Sequence, residues 1–284
     1  MILFKTTRDI QNYLASIRQQ NLSIGFVPTM GALHAGHLSL IRESIKRTGV
    51  TVCSIFINPT QFNNAEDFER YPVTLEQDIL ALEESGCHVL FLPSEQEIYP
   101  DESSRHRPFD LGYLGDILEG SFRPGHFQGV CMVVEKLLDT IRPDLLFLGQ
   151  KDYQQCLVIK RLIATTNLPV TVRIESIVRE SSGLAMSSRN QRLGPQAREK
   201  AALLQKTLRS VARRLSRADF SSLRTAAVAS LEQEGFHVDY LELAGARDLK
   251  PVSVGDPSQD AVLLIAAYID GVRLIDNILI KAEK

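Results

Sequence analysis

Two histidines three residues apart, His34 and His37, stand in the stretch Pro28-Thr29-Met30-Gly31-Ala32-Leu33-His34-Ala35-Gly36-His37. An apolar run, Ile24–Val27, precedes it, and a segment of helical period follows from about Gly36 to Arg47. A helix N-terminus just after a strand gathers backbone N–H groups and positive partial charge, so a phosphate is expected there. Gly31 and Gly36 let the main chain approach a ligand closely. Imidazole, with an unperturbed pKa near about 6.5, can donate to phosphate oxygens and carry charge as negative charge develops. Paired histidines also serve metal sites and nucleophilic triads. Zinc would need a third ligand at helical spacing around His37, and the chain has no Gly-x-Ser-x-Gly elbow, which leaves phosphate handling as the better reading. H-x-G-H alone is short, and two polar residues at a helix start would look the same.

Two further clusters gain weight from that first one. Gly149-Gln150-Lys151-Asp152 directly follows the apolar run Leu145–Leu148. Lys151 suits a phosphate as a point charge, and Asp152 suits ribose hydroxyls. By itself such a Lys-Asp pair reads as a solvated turn; its weight comes from sharing a sheet edge with the histidines. Met186-Ser187-Ser188-Arg189-Asn190 offers two hydroxyls and a guanidinium, a set able to bracket a triphosphate and stabilise a leaving pyrophosphate. No Ser or Cys is a candidate nucleophile, so the nucleophiles must be the substrates, and catalysis rests on positioning and charge stabilisation.

The elements that must hold these clusters follow from hydrophobic period. Apolar runs at Ile24–Val27, Val50–Ile57, Val89–Leu92 and Leu145–Leu148 alternate with helical segments near Gly36–Arg47, Leu75–Glu84, Val130–Ile141 and Tyr153–Thr166. That alternation predicts an α/β fold, a Rossmann-like doubly wound parallel sheet, with ligands outside the carboxyl ends of the strands. After about Val178 two polar-faced helices, near Pro195–Leu215 and Ser221–Glu234, precede strand-like runs at Asp239–Leu243, Ala261–Ile269 and Arg273–Ile280. Hence a domain over 1–177 and a smaller C-terminal α+β domain over 178–284 are expected, with the Ser-rich turn at 180–183 as the junction.

With 284 residues, 44% hydrophobic and 23% charged, the chain has ordinary globular composition. Its net charge of −2 lacks the basic footprint of a dedicated nucleic-acid binder. The longest uninterrupted apolar run, Ala261–Ile269, is nine residues, too short to span a bilayer, and the start of the chain lacks a signal-peptide layout. Cys53, Cys87, Cys131 and Cys156 form no C-x-x-C pair and read as reduced core residues of a cytoplasmic protein.

H-x-G-H followed much later by Ser-Ser-Arg resembles the two signature motifs of the nucleotidyltransferase superfamily, which includes class I aminoacyl-tRNA synthetases. More closely, Pro28 to His37, Ser54 to Phe62, Arg70-Tyr71-Pro72, Arg123-Pro124-Gly125-His126-Phe127, Gly149 to Gln155, Met186 to Asn190 and Leu274 to Asn277 resemble the pantothenate synthetase (pantoate:beta-alanine ligase) family, in order and spacing. No functional position departs from the family pattern, and Ala35 falls within what it tolerates. The resemblance implies a ligase of pantothenate biosynthesis. The carboxylate of (R)-pantoate attacks the α-phosphate of Mg-ATP to give pantoyl adenylate and pyrophosphate; beta-alanine then attacks the acyl carbon and expels AMP.

It further implies roles residue by residue. His34, His37, Lys151 and Arg189 are catalytic, with His37 the proton donor. ATP is bound by Met30, Gly31, Ala32, Leu33, His34, Ala35, Gly36, His37, Gly149, Gln150, Lys151, Asp152, Val178, Met186, Ser187, Ser188 and Arg189. Gln61 and Gln155 hold pantoate, with Asn58 and Met30 beside it. For Met30 and Phe56, core packing is an equal alternative to contact with the gem-dimethyl group. Mg²⁺ is the cofactor, with no protein ligand assigned, and the family is usually dimeric; Val52–Ile57 could serve an interface or the core. Arg123–Phe127 is read as a structured turn, with a loop beside the pocket as the alternative, and 59–72 as a mobile lid that shields the adenylate from water. A sibling adenylyltransferase with another acceptor would keep His34, His37 and 187–189 but need not carry Gln61 and Gln155. A nucleotide-binding or RNA-binding module without chemistry would show missing phosphate ligands or a basic face.

Overall fold

The computed structural model describes residues 1–105, 107–215, 219–252 and 259–282. The chain divides into two compact units: Met1–Gln150 with Val158–Ser176, and Lys151–Leu157 with Ile177–Lys284. In chain order the elements up to residue 176 are β1 (Ile2–Phe4), α1 (Thr7–Gln19), β2 (Ile24–Thr29), α2 (Ala35–Arg47), β3 (Val50–Ile55), α3 (Ala65–Glu69) and α4 (Leu75–Glu84). They continue as β4 (Val89–Phe91), α5 (Glu95–Ile98), α6 (Glu119–Phe122), α7 (His126–Ile141), β5 (Leu145–Gly149), α8 (Tyr153–Thr166) and β6 (Thr171–Glu175).

The six strands form one sheet in the order β1-β4-β3-β2-β5-β6, and every pair is parallel. From the edge strand β1 the chain crosses to β2, winds outward through β3 and β4, then returns to β5 on the other side of β2, where Gly25 faces Leu145. The carboxyl ends of β2 and β5 therefore flank the switch point of the sheet, where doubly wound folds bind ligands. Helices cover such a sheet on both faces, which is why β3 is mostly apolar and all six of its residues, Thr51 and Ser54 included, are buried. Of the stretch Val52–Ile57, read as interface or core, Val52–Phe56 are buried within the unit and Ile57 is partly buried.

Besides the short helices α3, α5 and α6, three elements lie outside the alternation read from sequence. Strand β1 is three residues long, and β6 has an exposed, polar-alternating edge. Helix α1 buries a narrow stripe, Ile10, Leu14 and Ile17, and is capped by Thr6, whose hydroxyl accepts from Asp9 N–H.

In the second unit α9 (Pro195–Ala201), α10 (Leu203–Arg214) and α11 (Phe220–Gln233) precede β7 (His237–Gly245), β8 (Ala261–Ile269) and β9 (Val272–Ile280), an antiparallel sheet in the order β7-β8-β9. Leu204, Leu208 and Val211 of α10 share one core with Leu241, Leu263 and Ile265 of the sheet. The single helix expected over 195–215 breaks at Ala202, so α10 runs as a separate helix. Asp270 and Gly271, both left-handed at φ 48° and 72°, make the tight turn that joins β8 to β9. No described helix is long and apolar enough to cross a membrane.

Candidate active site

In the first unit the chain leaves β2 through two consecutive left-handed residues, Gly31 (φ 78°) and Ala32 (φ 47°). Left-handed backbone is natural for glycine and strained for alanine. Thr29 donates its hydroxyl hydrogen to the Ser54 carbonyl at 2.7 Å and accepts from Gly31 N–H at 3.2 Å, tying the loop to β3. His34 then caps α2, and its Nδ1 accepts from Gly36 N–H at 3.1 Å. An Nδ1 used as acceptor leaves Nε2 as the protonated nitrogen of the neutral ring, so His34 offers an Nε2–H donor. The His34 and His37 rings stack with centroids 4.0 Å apart and planes 25° from parallel, so the two imidazoles stand face to face at the helix N-terminus.

Ala32 N–H and Leu33 N–H donate to the Asp78 carboxylate of α4, at 2.9 and 2.7 Å. Any part these two residues take in nucleotide binding thus runs through atoms other than those amides. Asp78, one acid in the acidic helix start Glu76-Gln77-Asp78, carries no motif that sequence reasoning could single out. Its signal is only that it falls on the apolar side of α4, where it is 2% exposed.

A second loop follows β3. Asn58 is 1% exposed and caps the 3₁₀ turn Pro59–Gln61. Its Oδ1 accepts from Tyr99 Oη at 2.8 Å and from Thr60 Oγ1 at 3.0 Å. Its Nδ2 donates to Gln61 Oε1 and to the Gly129 carbonyl, each at 3.1 Å. Gln61 Nε2 in turn lies 2.9 Å from Met30 Sδ, so the Gln61 amide is held in one orientation. Asn58 serves that orientation from within the core.

Arg123–Phe127 proves to be more than a turn. Gly125 (φ 79°) reverses the chain, and α7 starts at His126, earlier than its apolar period near Val130 implies. His126 is buried, with Nδ1 2.8 Å from the Gln61 carbonyl and Nε2 3.3 Å from Arg123 Nη1. A carbonyl only accepts, so Nδ1 carries the proton and Nε2 accepts from the guanidinium. The 59–72 segment is likewise organised: Asn64 caps α3 through Glu66 N–H, and Phe62 packs edge-on against Phe68 and Tyr71. Phe56, buried at 7% exposure, joins Met30, Ile55, Val73 and Leu75 around a cavity of about 210 Å³.

The second unit holds Lys151, Asp152, Gln155, Val178, Met186 and Ser187–Arg189 of the residues expected around the substrates. Met186 N–H donates to the Val178 carbonyl at 3.0 Å, which brings together two residues eight positions apart in sequence. They close a hairpin whose Arg179 makes a two-pronged contact with Asp276, Nη1 to Oδ2 at 2.7 Å and Nη2 to Oδ1 at 2.9 Å. Glu180 joins the hairpin to Asn190 at 2.9 Å and to Arg198 at 2.9 and 3.0 Å. Ser187, leaving the hairpin, caps the 3₁₀ turn Ser188–Arg192 by accepting from Arg189 N–H at 3.3 Å. Lys151 Nζ is 3.3 Å from Asp152 Oδ1, and Asn277 Nδ2 holds the Lys151 carbonyl at 3.0 Å. The two residues expected on different parts of the nucleotide thus pair with each other. Gln155, half-buried, follows on α8, while the neighbouring Tyr153 donates to the Ala246 carbonyl at 2.6 Å; burial pushes its phenol up to about 12. Gly149, at the end of β5, has open space where a Cβ would stand.

A parallel doubly wound sheet with an H-x-G-H helix start at its switch point, and a Ser-Ser-Arg loop in a following α+β unit, defines a nucleotide-binding α/β protein of the nucleotidyltransferase type. The chain belongs to the pantoate-beta-alanine ligase family, which it matches over residues 2–279. It is 42% identical over 283 residues to pantothenate synthetase of Cytophaga hutchinsonii, covering 99% of each chain. With pantothenate synthetase of Pseudomonas paraeruginosa the identity is 44% over 276 residues, 96% of this chain and 97% of the relative. Among solved structures, pantothenate synthetase of Thermus thermophilus superposes with a TM-score of 0.89 at 36% identity, covering 98% and 99% of the two chains. Pantoate-beta-alanine ligase of Francisella tularensis, complexed with beta-gamma ATP and beta-alanine, gives 0.82 at 38% identity, covering 98% and 97%.

Proposed function

We propose that this chain condenses (R)-pantoate with beta-alanine to pantothenate at the expense of ATP. In the first step a pantoate carboxylate oxygen bonds to the α-phosphorus as the bond to pyrophosphate breaks. In the second the beta-alanine amine bonds to the acyl carbon, the bond to AMP breaks, and the amine loses a proton. The observation that carries this reading is the full-length family match together with the stacked His34–His37 pair at the start of α2.

His34 donates Nε2–H to a phosphate oxygen, and His37 donates a proton as pyrophosphate leaves. Lys151 exchanges Asp152 for phosphate, which frees Asp152 for ribose hydroxyls. Gly149, Gln150, Val178 and Met186 hold the nucleoside, and Ser187, Ser188 and Arg189 the triphosphate. In the loop 30–36, Met30, Gly31, Ala32, Leu33, Ala35 and Gly36 shape the phosphate end. Gln61, oriented by Asn58, and Gln155 hold pantoate through amides suited to a ligand that is part hydroxyl and part carboxylate. The 59–72 segment closes over the adenylate.

Among the described residues no group of three or more His, Cys, Asp or Glu side chains could hold a metal ion. The nitrogen donors at the start of α2 suit phosphate oxygens, so a Mg²⁺ ion would come with ATP and would supply charge neutralisation at its phosphates. The chain divides functionally into 1–177 and 178–284, the latter contributing the 187–189 loop. A homodimer is supported by large apolar side chains left in solvent on the first unit, Val73 at 73% and Leu80 at 59% exposure. Buried thiols at Cys53, Cys87, Cys131 and Cys156 support the cytoplasm.

The test follows pyrophosphate and AMP with Mg-ATP plus pantoate, plus beta-alanine, then both. Pyrophosphate with pantoate alone, sustained AMP only with both, and loss of both signals in His37→Ala are expected. Binding of ATP without turnover on pantoate would refute the acceptor.

A further inference from the structure

We infer that Asp78 is a positioning residue for the histidine pair. Its carboxylate binds the turn between β2 and α2 and thereby fixes where His34 and His37 stand, an assignment that rests on the ligase reading of the site. Four contacts argue for it. Asp78 Oδ2 accepts from Ala32 N–H at 2.9 Å, and Oδ1 accepts from Leu33 N–H at 2.7 Å and from Thr74 Oγ1 at 3.1 Å. The carboxylate also packs against the turn itself: a Cβ added at Gly31 would lie 3.0 Å from Oδ2. Thr74, the residue before α4, caps no backbone N–H of that helix and gives its hydroxyl to the Asp78 carboxylate instead.

The physical need is plain in the backbone. Gly31 and Ala32 are both left-handed, and for alanine that conformation persists only where the surroundings impose it. The amide hydrogens of such a turn point to one side and form a small anion cradle. Here a carboxylate of the protein fills it. Leu33 is the residue before His34, whose main chain starts α2, so freedom at 32–33 passes directly into the placement of both rings. The hydrogen bonds of Asp78 go to the turn and to Thr74 and not to either ring, so it acts through the turn. A carboxylate 2% exposed is costly to bury unless its donors are in place, which makes the arrangement rigid rather than optional.

The experiment compares Asp78→Asn, Asp78→Ala and Thr74→Val with the parent enzyme. The readouts are kcat and KM for ATP, pantoate and beta-alanine, thermal unfolding, and ¹⁵N-histidine NMR. Asparagine keeps the shape and one acceptor but turns an NH₂ toward an amide N–H. The expected result is a fall in kcat for pantoate-dependent pyrophosphate release of about 10- to 100-fold in Asp78→Asn, larger in Asp78→Ala and smaller in Thr74→Val. The pantoate and beta-alanine KM values stay within about twofold, because the Gln61 turn is held mainly by Asn58 and His126, with Met30 its one contact beside the Asp78-bound turn. Of the chain's six imidazoles, only the two assigned through His34→Gln and His37→Gln should shift in Asp78→Asn. Parent-like kcat in folded Asp78→Asn overturns the proposal. So does unfolding of Asp78→Asn, which makes Asp78 a folding residue, and so does a loss that moves every KM alike. A parent enzyme that makes no pyrophosphate with pantoate refutes the ligase reading instead, and the NMR comparison still decides whether Asp78 fixes the rings.

Discussion

The Gly129 carbonyl of α7 accepts from Asn58 Nδ2 at 3.1 Å, and a Cβ built on Gly129 would stand 2.2 Å from the Thr60 carbonyl oxygen. The helix therefore touches the Gln61 turn backbone to backbone, and His126 completes the seam by donating to the Gln61 carbonyl. Gly129→Ala forces the turn to move. The expected cost is about 1–3 kcal/mol in chemical denaturation, as for other overpacked sites. Pantoate KM should rise on the order of tenfold through the displaced Gln61 amide, with ATP KM unchanged. Steady-state kinetics with pantoate varied check it.

His34 does two jobs that substitution can separate. His34→Ala removes the cap of α2 and should cost about 0.5–2 kcal/mol, whereas His34→Asn keeps a capping oxygen and should melt near the parent. Both lose the Nε2–H donor, so both should slow pyrophosphate release by about 10²-fold or more. Paired melting curves and turnover measurements distinguish cap from catalysis.

Asp276, 3% exposed, anchors the hairpin that leads to Ser187–Arg189 by its contact with Arg179. Removing one member of a largely buried ion pair leaves the other charge uncompensated. Asp276→Ala should therefore lose about 3–5 kcal/mol in stability. In the protein that remains folded ATP KM should rise while beta-alanine KM holds, as ATP titrations at several beta-alanine concentrations would reveal.

The buried thiols titrate far from neutrality. Burial pushes Cys87 up to about 11, and burial together with Glu135 pushes Cys131 up to about 12, from an ordinary value of 9.0. Thiolate is the reactive form, so native protein at pH 8 should react with a disulfide reagent far more slowly than protein in denaturant, where all four cysteines label. A raised folded-state value also means that the folded state holds these protons more tightly. The stability they contribute is complete below about pH 9 and declines as pH rises toward about 12, which urea midpoints across that range would trace.

Much of the fold was legible because the physics is local or periodic. Predominantly apolar runs such as Val50–Ile55 mark strands buried on both faces, and the helical period after Gly36 marks α2. Polar edges and very short strands carry little of that signal, which hides β6 and β1. The break at Ala202 is hidden for another reason, since two good helix formers flank it and only packing tells the segments apart.

The sequence by itself determined which residue types stand ready for chemistry: H-x-G-H at a strand-to-helix junction, Gly-Gln-Lys-Asp after a second strand, Met-Ser-Ser-Arg in a later loop, and Gln61 after Asn58-Pro59. Their spacing is local, and local spacing survives folding. Tertiary structure alone decided who holds them. Asp78 meets Ala32 and Leu33 across 46 and 45 residues, His126 meets Gln61 across 65, and Arg179 meets Asp276 across 97. Such partners are chosen by where the sheet order and helix packing bring distant backbone together, and neither period nor motif encodes that meeting in any one stretch of chain.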